Sequence, residues 1–129
     1  MNTCEVSAVL FARDKSRVAA FYRDVLGLIC TAEDEDHSVL NCRGFDFIVH
    51  QIPKHLLAEC SVEEESRRKE NGSIRLNYPV VSIEKVRTLA ASLGGHVDVA
   101  PPDWAPRDAN FFLGHDPEGN VFKISEQSR

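Results

Sequence analysis

The feature of this 129-residue chain that most constrains its fold is an internal repeat. In each half, a segment with alternating apolar residues precedes a stretch whose apolar residues recur at i, i+3, i+4 and i+7, and three further strand-like segments follow. Alternation predicts a strand, and the second spacing predicts a helix with one buried face. The sequence therefore predicts an α+β chain of two modules, each with the order strand, helix, strand, strand, strand.

The first module is predicted over residues 1–51. Its strands are CEVSAVLF (4–11), LICTAE (28–33), SVLNC (38–42) and FDFIVHQ (45–51). The helix face consists of Val18, Phe21, Tyr22 and Val25. Asp14 or Ser16 is the expected N-cap, because either side chain can accept from the free amides of the first turn. Gly27 is expected to end the helix, because glycine adopts the left-handed conformation of many helix ends.

The second module is predicted over residues 73–129 and repeats this plan. Its strands are SIRLNYPVV (73–81), HVDVA (96–100), ANFFLG (109–114) and NVFKIS (120–125). Ser82 is the expected N-cap, and the buried helix face is expected to be Val86, Leu89, Ala90 and Leu93. Residues 52–72, with a short helix at KHLLAEC, are the expected linker within a single domain of residues 1–129.

Two motifs connect this repeat to a family. FYRDVLGL (21–28) and DPEGNVFKI (116–124) resemble the two signature stretches of the glyoxalase, bleomycin-resistance and extradiol-dioxygenase superfamily, also called the vicinal oxygen chelate superfamily. The resemblance covers nearly the whole chain, because the duplicated half fits as well. It implies two tandem βαβββ modules whose curved mixed sheets surround a cavity, and it implies a homodimer. Many members hold a divalent metal there with side chains from four strands, whereas others only bind a ligand.

Strand parity indicates which residues face that cavity, since successive side chains point to opposite faces. In each of the four strands concerned, one face is apolar and suited to pack on a helix. The opposite, more polar face carries the positions at which the family places its metal ligands. Aligned through the two motifs, these positions are Ser7, His50, Arg75 and Lys123. The alignment is closest at Ser7 and Lys123.

This set of residues argues against the family's metal, and we expect no cofactor. Imidazole and carboxylate donate lone pairs to a divalent cation, whereas arginine and protonated lysine have none to donate. Two alternatives for Arg75 and Lys123 stay open. They form either a structural surface, paired with Glu5 and Asp46 or solvated, or a positive pocket for an anionic small molecule such as a carboxylate or phosphate.

Other residues give weaker signals. His50 is a candidate general base, although a hydrogen-bonded structural histidine is the simpler interpretation. Trp104 and Arg107 lie in a loop rich in Pro and Asp, where the tryptophan either closes the pocket mouth or covers the core. His37, His55, His96 and His115 show no paired spacing in the sequence.

Composition excludes several classes of protein. The net charge is −5 and no basic stripe is visible, which argues against nucleic acid as a partner. No apolar run approaches the roughly 20 residues of a membrane span, and MNTCEV does not resemble a signal peptide. The four cysteines match no zinc framework. We therefore expect a cytoplasmic protein with reduced thiols.

The leading hypothesis is a metal-independent small-molecule binding protein of the glyoxalase/bleomycin-resistance type, with an anionic organic ligand. Its ligand-binding residues would be Ser7, His50, Arg75, Lys123, Trp104 and Arg107, and no catalytic residue is assigned. The alternative is a glyoxalase-like lyase or isomerase, or a dioxygenase-related enzyme, acting on a small substrate. A protein whose partner is another protein is a third candidate.

Overall fold

The computed structural model describes residues 6–57 and 67–127. It separates into two compact units, one up to residue 61 and the other from residue 62. Each unit holds one predicted module, and the single-domain organisation stays a prediction. Cys4, Glu5 and Cys60 lie outside the described residues. No helix in the described ranges is long and apolar enough to span a membrane.

The first module is a four-stranded mixed sheet with one long helix. Its elements are β1 (Ala8–Ala12), α1 (Lys15–Leu26), β2 (Ile29–Glu33), β3 (His37–Cys42), β4 (Phe45–Gln51) and the short α2 (Lys54–Leu57). The strand order is β1-β4-β3-β2. β1 and β4 are parallel, and the other neighbours are antiparallel.

The predicted signals of α1 are confirmed. The Asp14 side chain accepts from the amide of Arg17, so Asp14, not Ser16, is the N-cap. Gly27 ends the helix with φ 76°. All four residues of the predicted apolar face are buried, together with Leu40, Phe47 and Val49 on the sheet beneath. The helix and one face of the sheet thus form the core of this module.

The second module repeats the architecture. Its elements are β5 (Asn77–Val80), α3 (Ile83–Ser92), β6 (His96–Val97), β7 (Phe111–His115) and β8 (Val121–Glu126), with strand order β5-β8-β7-β6. Ser82 is the N-cap, and its side chain accepts from the amide of Lys85. The predicted fold class, an α+β chain of two βαβββ modules, is confirmed.

The predicted apolar face of α3 is confirmed at Val86 and Ala90 and wrong at Leu89 and Leu93. Leu89 and Leu93 are 42% and 37% exposed, whereas Ile83, Val86 and Ala90 are buried. The i+4 position of the true face belongs to Arg87, whose guanidinium lies 5.3 Å from the centroid of the Phe112 ring. Arg87, a charged residue with a long apolar stem, occupies a core-facing position. Because apolar periodicity does not count such a residue, it places the predicted face one turn too far along the helix.

β5 and β6 are shorter than predicted by several residues. β5 begins at Asn77 instead of residue 73, because the register that pairs Asn77 with Lys123 places residues 73 and 74 opposite the turn before β8. Ile74 is accordingly 85% exposed. β6 ends at Val97, and the prolines at 101 and 102 that follow have no amide proton for a ladder.

Equivalent hydrogen bonds confirm that the two modules are structural repeats. The Gln51 side chain, at the end of β4, accepts from the amide of Lys15 at the start of α1 at 3.0 Å. The Glu126 side chain, at the end of β8, accepts from the amide of Ile83 at the start of α3 at 3.1 Å. In both modules the last strand therefore satisfies a free amide at the start of the helix.

Candidate functional site

Each sheet has one face turned away from its long helix, which we call the open face. In β4, Phe47 and Val49 are buried toward α1, whereas Asp46, Ile48 and His50 lie between them and are only partly buried. Strand parity therefore places these three residues on the open face, as predicted. In β1, Val9 and Phe11 lie on the same side and are 51% and 58% exposed.

Three rings meet at one end of the first open face. His50 is the Cα partner of Phe11 in β1 and of His37 in β3. The ring centroids of His50 and Phe11 are 5.1 Å apart, and those of His50 and His37 are 4.3 Å apart in an edge-on arrangement. We call His37 and His50 the histidine pair.

Hydrogen bonds orient both imidazoles of the histidine pair. The Nδ1 atom of His50 lies 2.8 Å from the backbone oxygen of Gln51, and the Nδ1 atom of His37 lies 3.0 Å from Oδ1 of Asp34. That Asp34 oxygen also accepts from the amides of Asp36 and His37. These hydrogen bonds, the one from the His37 ring foremost, lower the pKa of the Asp34 carboxyl.

A separate cluster lies on the open face of the second module. Phe111, Lys123 and Ser125 share this face, because Phe111 is the Cα partner of Ser125. The Lys123 ammonium lies 4.1 Å from the centroid of the Phe111 ring. The Trp104 ring lies 5.8 Å from the same ring and is 68% exposed. A cation and an exposed indole therefore cover one buried phenylalanine.

Lys123 faces little negative charge in its own module. In the part of the second module that the structure describes, no carboxylate lies within ion-pair distance of its ammonium. Its Cα partners are Asn77 in β5 and Leu113 in β7, and the Asn77 side-chain oxygen accepts from the Ser125 hydroxyl at 3.2 Å. Among the described residues, the contact shown for this positive charge is the Phe111 ring.

The remaining predicted site residues lie elsewhere. Arg75 precedes β5 and donates to the backbone oxygen of Glu70 at 3.0 Å. Arg107 is exposed in its loop. Ser7 is exposed and lies four residues before Phe11, the partner of His50, which is about 13 Å along an extended chain. The structure therefore brings Trp104 near Lys123 by way of Phe111, but it does not bring Ser7 to His50.

The structural repeat revises one of the four positions aligned with the family's metal ligands. Ile48 precedes Gln51 by three residues, just as Lys123 precedes Glu126, so Ile48 is the equivalent of Lys123. His50 corresponds to Ser125. In β4, the position aligned with the family's metal ligands therefore shifts by two residues, from His50 to Ile48.

The residues at these positions do not fit the divalent metal that many family members hold. Serine, isoleucine, arginine and lysine include no imidazole or carboxylate. Across residues 6–57 and 67–127, no group of three or more His, Cys, Asp or Glu side chains is placed to hold a metal ion.

Sequence reasoning missed the histidine pair because His37 and His50 show no motif spacing. The missing information is the register of the β3–β4 hairpin. Arg43 and Gly44 both have positive φ, 53° and 88°, and they form a two-residue turn that pairs Cys42 with Phe45. Such a turn fixes every later pair, including His37 with His50. The Arg-Gly dipeptide was the available signal.

Comparisons with known proteins agree with this architecture. The model of the glyoxalase-like domain family matches residues 7–125. A glyoxalase/bleomycin resistance protein/dioxygenase family enzyme from Burkholderia phytofirmans PsJN is similar in structure, with a TM-score of 0.66, 20% identity, and coverage of 93% of this chain and 95% of that one. No curated protein matches the chain in sequence.

Two structures of named resistance or binding proteins are also similar. The fosfomycin resistance protein FosX from Listeria monocytogenes, complexed with Mn(II) and sulfate, has a TM-score of 0.68 and 9% identity, covering 99% of this chain and 93% of that one. The bleomycin-binding protein of Streptomyces verticillus, complexed with copper(II)-bleomycin, has a TM-score of 0.57 and 14% identity, covering 99% of both chains. With the family model spanning almost every residue, this chain belongs to the glyoxalase-like domain family.

Proposed function

We propose that this protein binds a small, anionic organic molecule without the help of a metal. The observation that carries the proposal is the position of Lys123, a partly buried residue on the open face of its sheet. The described contact of its ammonium is the ring of Phe111. A ring quadrupole only partly offsets the charge of an ammonium. A carboxylate or phosphate of a ligand would supply the missing counter-charge.

The surroundings of Lys123 suit an organic ligand. The exposed indole of Trp104 offers an apolar surface beside the same phenylalanine. Binding sites of this type combine an apolar lining with a few placed polar groups. The similar structures include a protein described as binding bleomycin and one described as conferring fosfomycin resistance, which supports a small molecule as the ligand class. Arg75, Arg107, Ser7 and His50 are kept as further candidate contacts.

A thermal-shift titration with carboxylates and phosphates, against chloride at equal ionic strength, tests the proposal. A bound ligand raises the melting temperature in a concentration-dependent way by mass action. We expect Lys123→Glu to abolish this rise, because a carboxylate there repels the anion. Lys123→Met removes the charge with less change in shape and should weaken binding about tenfold or more. Lys85→Met, on an exposed position of α3, is the matched control and should bind as wild type does.

The opposite outcome supports a structural role for Lys123. In that case no anion stabilises the wild-type protein above the chloride control, while Lys123→Glu lowers the melting temperature sharply. The loss of the contact with Phe111 alone is worth about 0.5–2 kcal/mol. That pair of results contradicts a ligand site at Lys123.

His50 favours a second candidate function, an enzyme of the lyase, isomerase or dioxygenase-related type. Because a carbonyl only accepts, the Nδ1 atom beside Gln51 carries the proton, and Nε2 of the neutral ring is the basic nitrogen. Ligands found in the thermal-shift screen should be incubated with the protein and followed by NMR. Conversion that is lost in His50→Gln, with binding retained, favours the enzyme. Recovery of unchanged ligand favours the binding protein.

A further inference from the structure

The histidine pair has a second property, which does not depend on the proposed function. His37 and His50 stand side by side on one face, because they are Cα partners in antiparallel strands. Their ring centroids are 4.3 Å apart. Each ring uses its Nδ1 atom in a hydrogen bond to an oxygen that only accepts, the carboxylate of Asp34 for His37 and the carbonyl of Gln51 for His50.

These hydrogen bonds fix the tautomers. With the proton held on Nδ1, the lone pair of each neutral imidazole is on Nε2. The two rings therefore lie side by side on one face of the sheet, each with its lone pair on Nε2. A histidine that binds a metal almost always has its other nitrogen bound to a carboxylate, a backbone carbonyl or water, because that bond orients the ring and raises its basicity. Both members of the pair have such a partner.

Further hydrogen bonds hold Asp34 and Gln51, the residues that bind the two imidazoles. The Lys15 ammonium donates to the backbone oxygen of Asp34 at 2.8 Å. The Gln51 side chain bonds the amide of Lys15 and the backbone oxygen of Arg13. Asp34, Glu35 and Asp36 form the turn between β2 and His37, and this acidic turn favours a nearby cation.

We propose that His37 and His50 form a two-histidine site for a transition-metal ion that prefers imidazole, namely Cu²⁺, Ni²⁺ or Zn²⁺. The two Nε2 atoms are the protein ligands, and the other coordination positions are open to water or to a small ligand. Asp34 is a positioning residue that orients His37. This site is distinct from the four positions that align with the family's metal ligands. In β4 the aligned residue is Ile48, the equivalent of Lys123, and not His50.

The second module contains a natural comparison. His96 and His115 are also Cα partners, but their ring centroids are 5.9 Å apart. The Nε2 atom of His96 lies 3.5 Å from Asp98, and Asp98 is held by both terminal nitrogens of Arg68. The nitrogen that would bind a metal is thus turned toward an occupied carboxylate. This pair is not expected to act as a chelate.

The test is calorimetric titration of untagged protein with Ni²⁺ alone, and EPR of the protein with Cu²⁺ alone. We expect saturable binding of one Ni²⁺ per chain and a Cu²⁺ spectrum with coupling to two nitrogens. His37→Gln and His50→Gln should each weaken Ni²⁺ binding at least about tenfold, and the double variant should bind no better than the weaker single one. Asp34→Asn keeps an oxygen for the two amides and should weaken binding about 10–100-fold. Mg²⁺, which prefers oxygen ligands, should not bind.

His96→Gln is the matched control and should leave Ni²⁺ binding unchanged. The proposal is overturned if wild-type protein shows no saturable Ni²⁺ binding up to millimolar concentration. It is also overturned if binding survives either substitution in the histidine pair, or if His96→Gln weakens binding as much as His37→Gln does. Circular dichroism of each variant shows that a loss of binding is not a loss of fold.

Discussion

Gly114, in β7, has no room for a side chain. A Cβ atom there would lie 2.5 Å from the backbone oxygen of His96 and 2.9 Å from two atoms of the Phe122 ring. We expect Gly114→Ala to lower the free energy of unfolding by about 1–3 kcal/mol, because the backbone oxygen belongs to the paired strand β6 and cannot move freely. Urea unfolding measures the loss.

Gly72→Ala is the control for this substitution, because its Cβ would meet nothing closer than 3.7 Å. It should change the free energy of unfolding by less than about 0.5 kcal/mol. Equal effects of the two substitutions would show that the close approach of β6 to Gly114 is not what makes the glycine necessary.

Single residues with local chemistry were predictable from the sequence. The caps at Asp14 and Ser82 and the left-handed Gly27 were predicted because each acts on amides or dihedrals within a few positions of itself. The partner of His37 was not predicted, because it lies thirteen positions along the chain and depends on the hairpin register. The charge of Lys123 was predicted to face the open side, but its contact with Phe111 required the pairing of β7 with β8.

At the scale of elements, the ends of β4 and β8 hold the starts of the two helices. We expect Gln51→Ala and Glu126→Ala each to destabilise the fold by about 1 kcal/mol, because each leaves a helix amide without its side-chain acceptor. Gln51→Ala should cost more, since its amide nitrogen also donates to Arg13 and Ile52. Urea unfolding at neutral pH gives both values.

Glu126→Gln separates the hydrogen bond from the charge. Glutamine keeps an acceptor for Ile83 but removes the negative charge at the start of α3, which is worth about 0.3–1 kcal/mol. The variant should therefore lie between wild type and Glu126→Ala in stability. A value as low as that of the alanine variant would mean that the charge, and not the hydrogen bond, carries the effect.

Elements were predicted best where side-chain alternation decides their burial. β4 has the predicted bounds and the predicted faces, because every one of its residues is paired with a neighbouring strand, β3 over Phe45–His50 and β1 over Phe47–Gln51. The predicted face of α3 holds for Val86 and Ala90 and fails at Leu89 and Leu93, because Arg87 packs on Phe112 and apolar periodicity does not register a charged residue as core. β5 was predicted too long, because strand propensity says nothing about where the partner strand begins.

At the scale of the whole molecule, the repeat leaves edge strands in both sheets, and the unpaired backbone groups of an edge strand can pair with another chain. Among the described residues of its own module, each of β1, β2, β5 and β6 pairs with a strand on one side only. β2 carries a bulge between Cys30 and Ala32, and β6 has two residues, features that protect an edge from unwanted pairing. β1 has five residues, AVLFA, and its register with β4 is unbroken.

An apolar edge strand such as β1 is stable in solution when another segment or chain covers it. The family resemblance implies that a second copy of the chain does so. We therefore predict a homodimer at micromolar concentration. Multi-angle light scattering behind size exclusion should give about twice the chain mass of 14.4 kDa, with the fraction of dimer rising as the protein is concentrated. Because apolar contacts dominate such an edge, raising the salt concentration should not dissociate the dimer. A single species of chain mass at every concentration contradicts the prediction, and dissociation by salt alone assigns the contact to charged side chains instead of the edge.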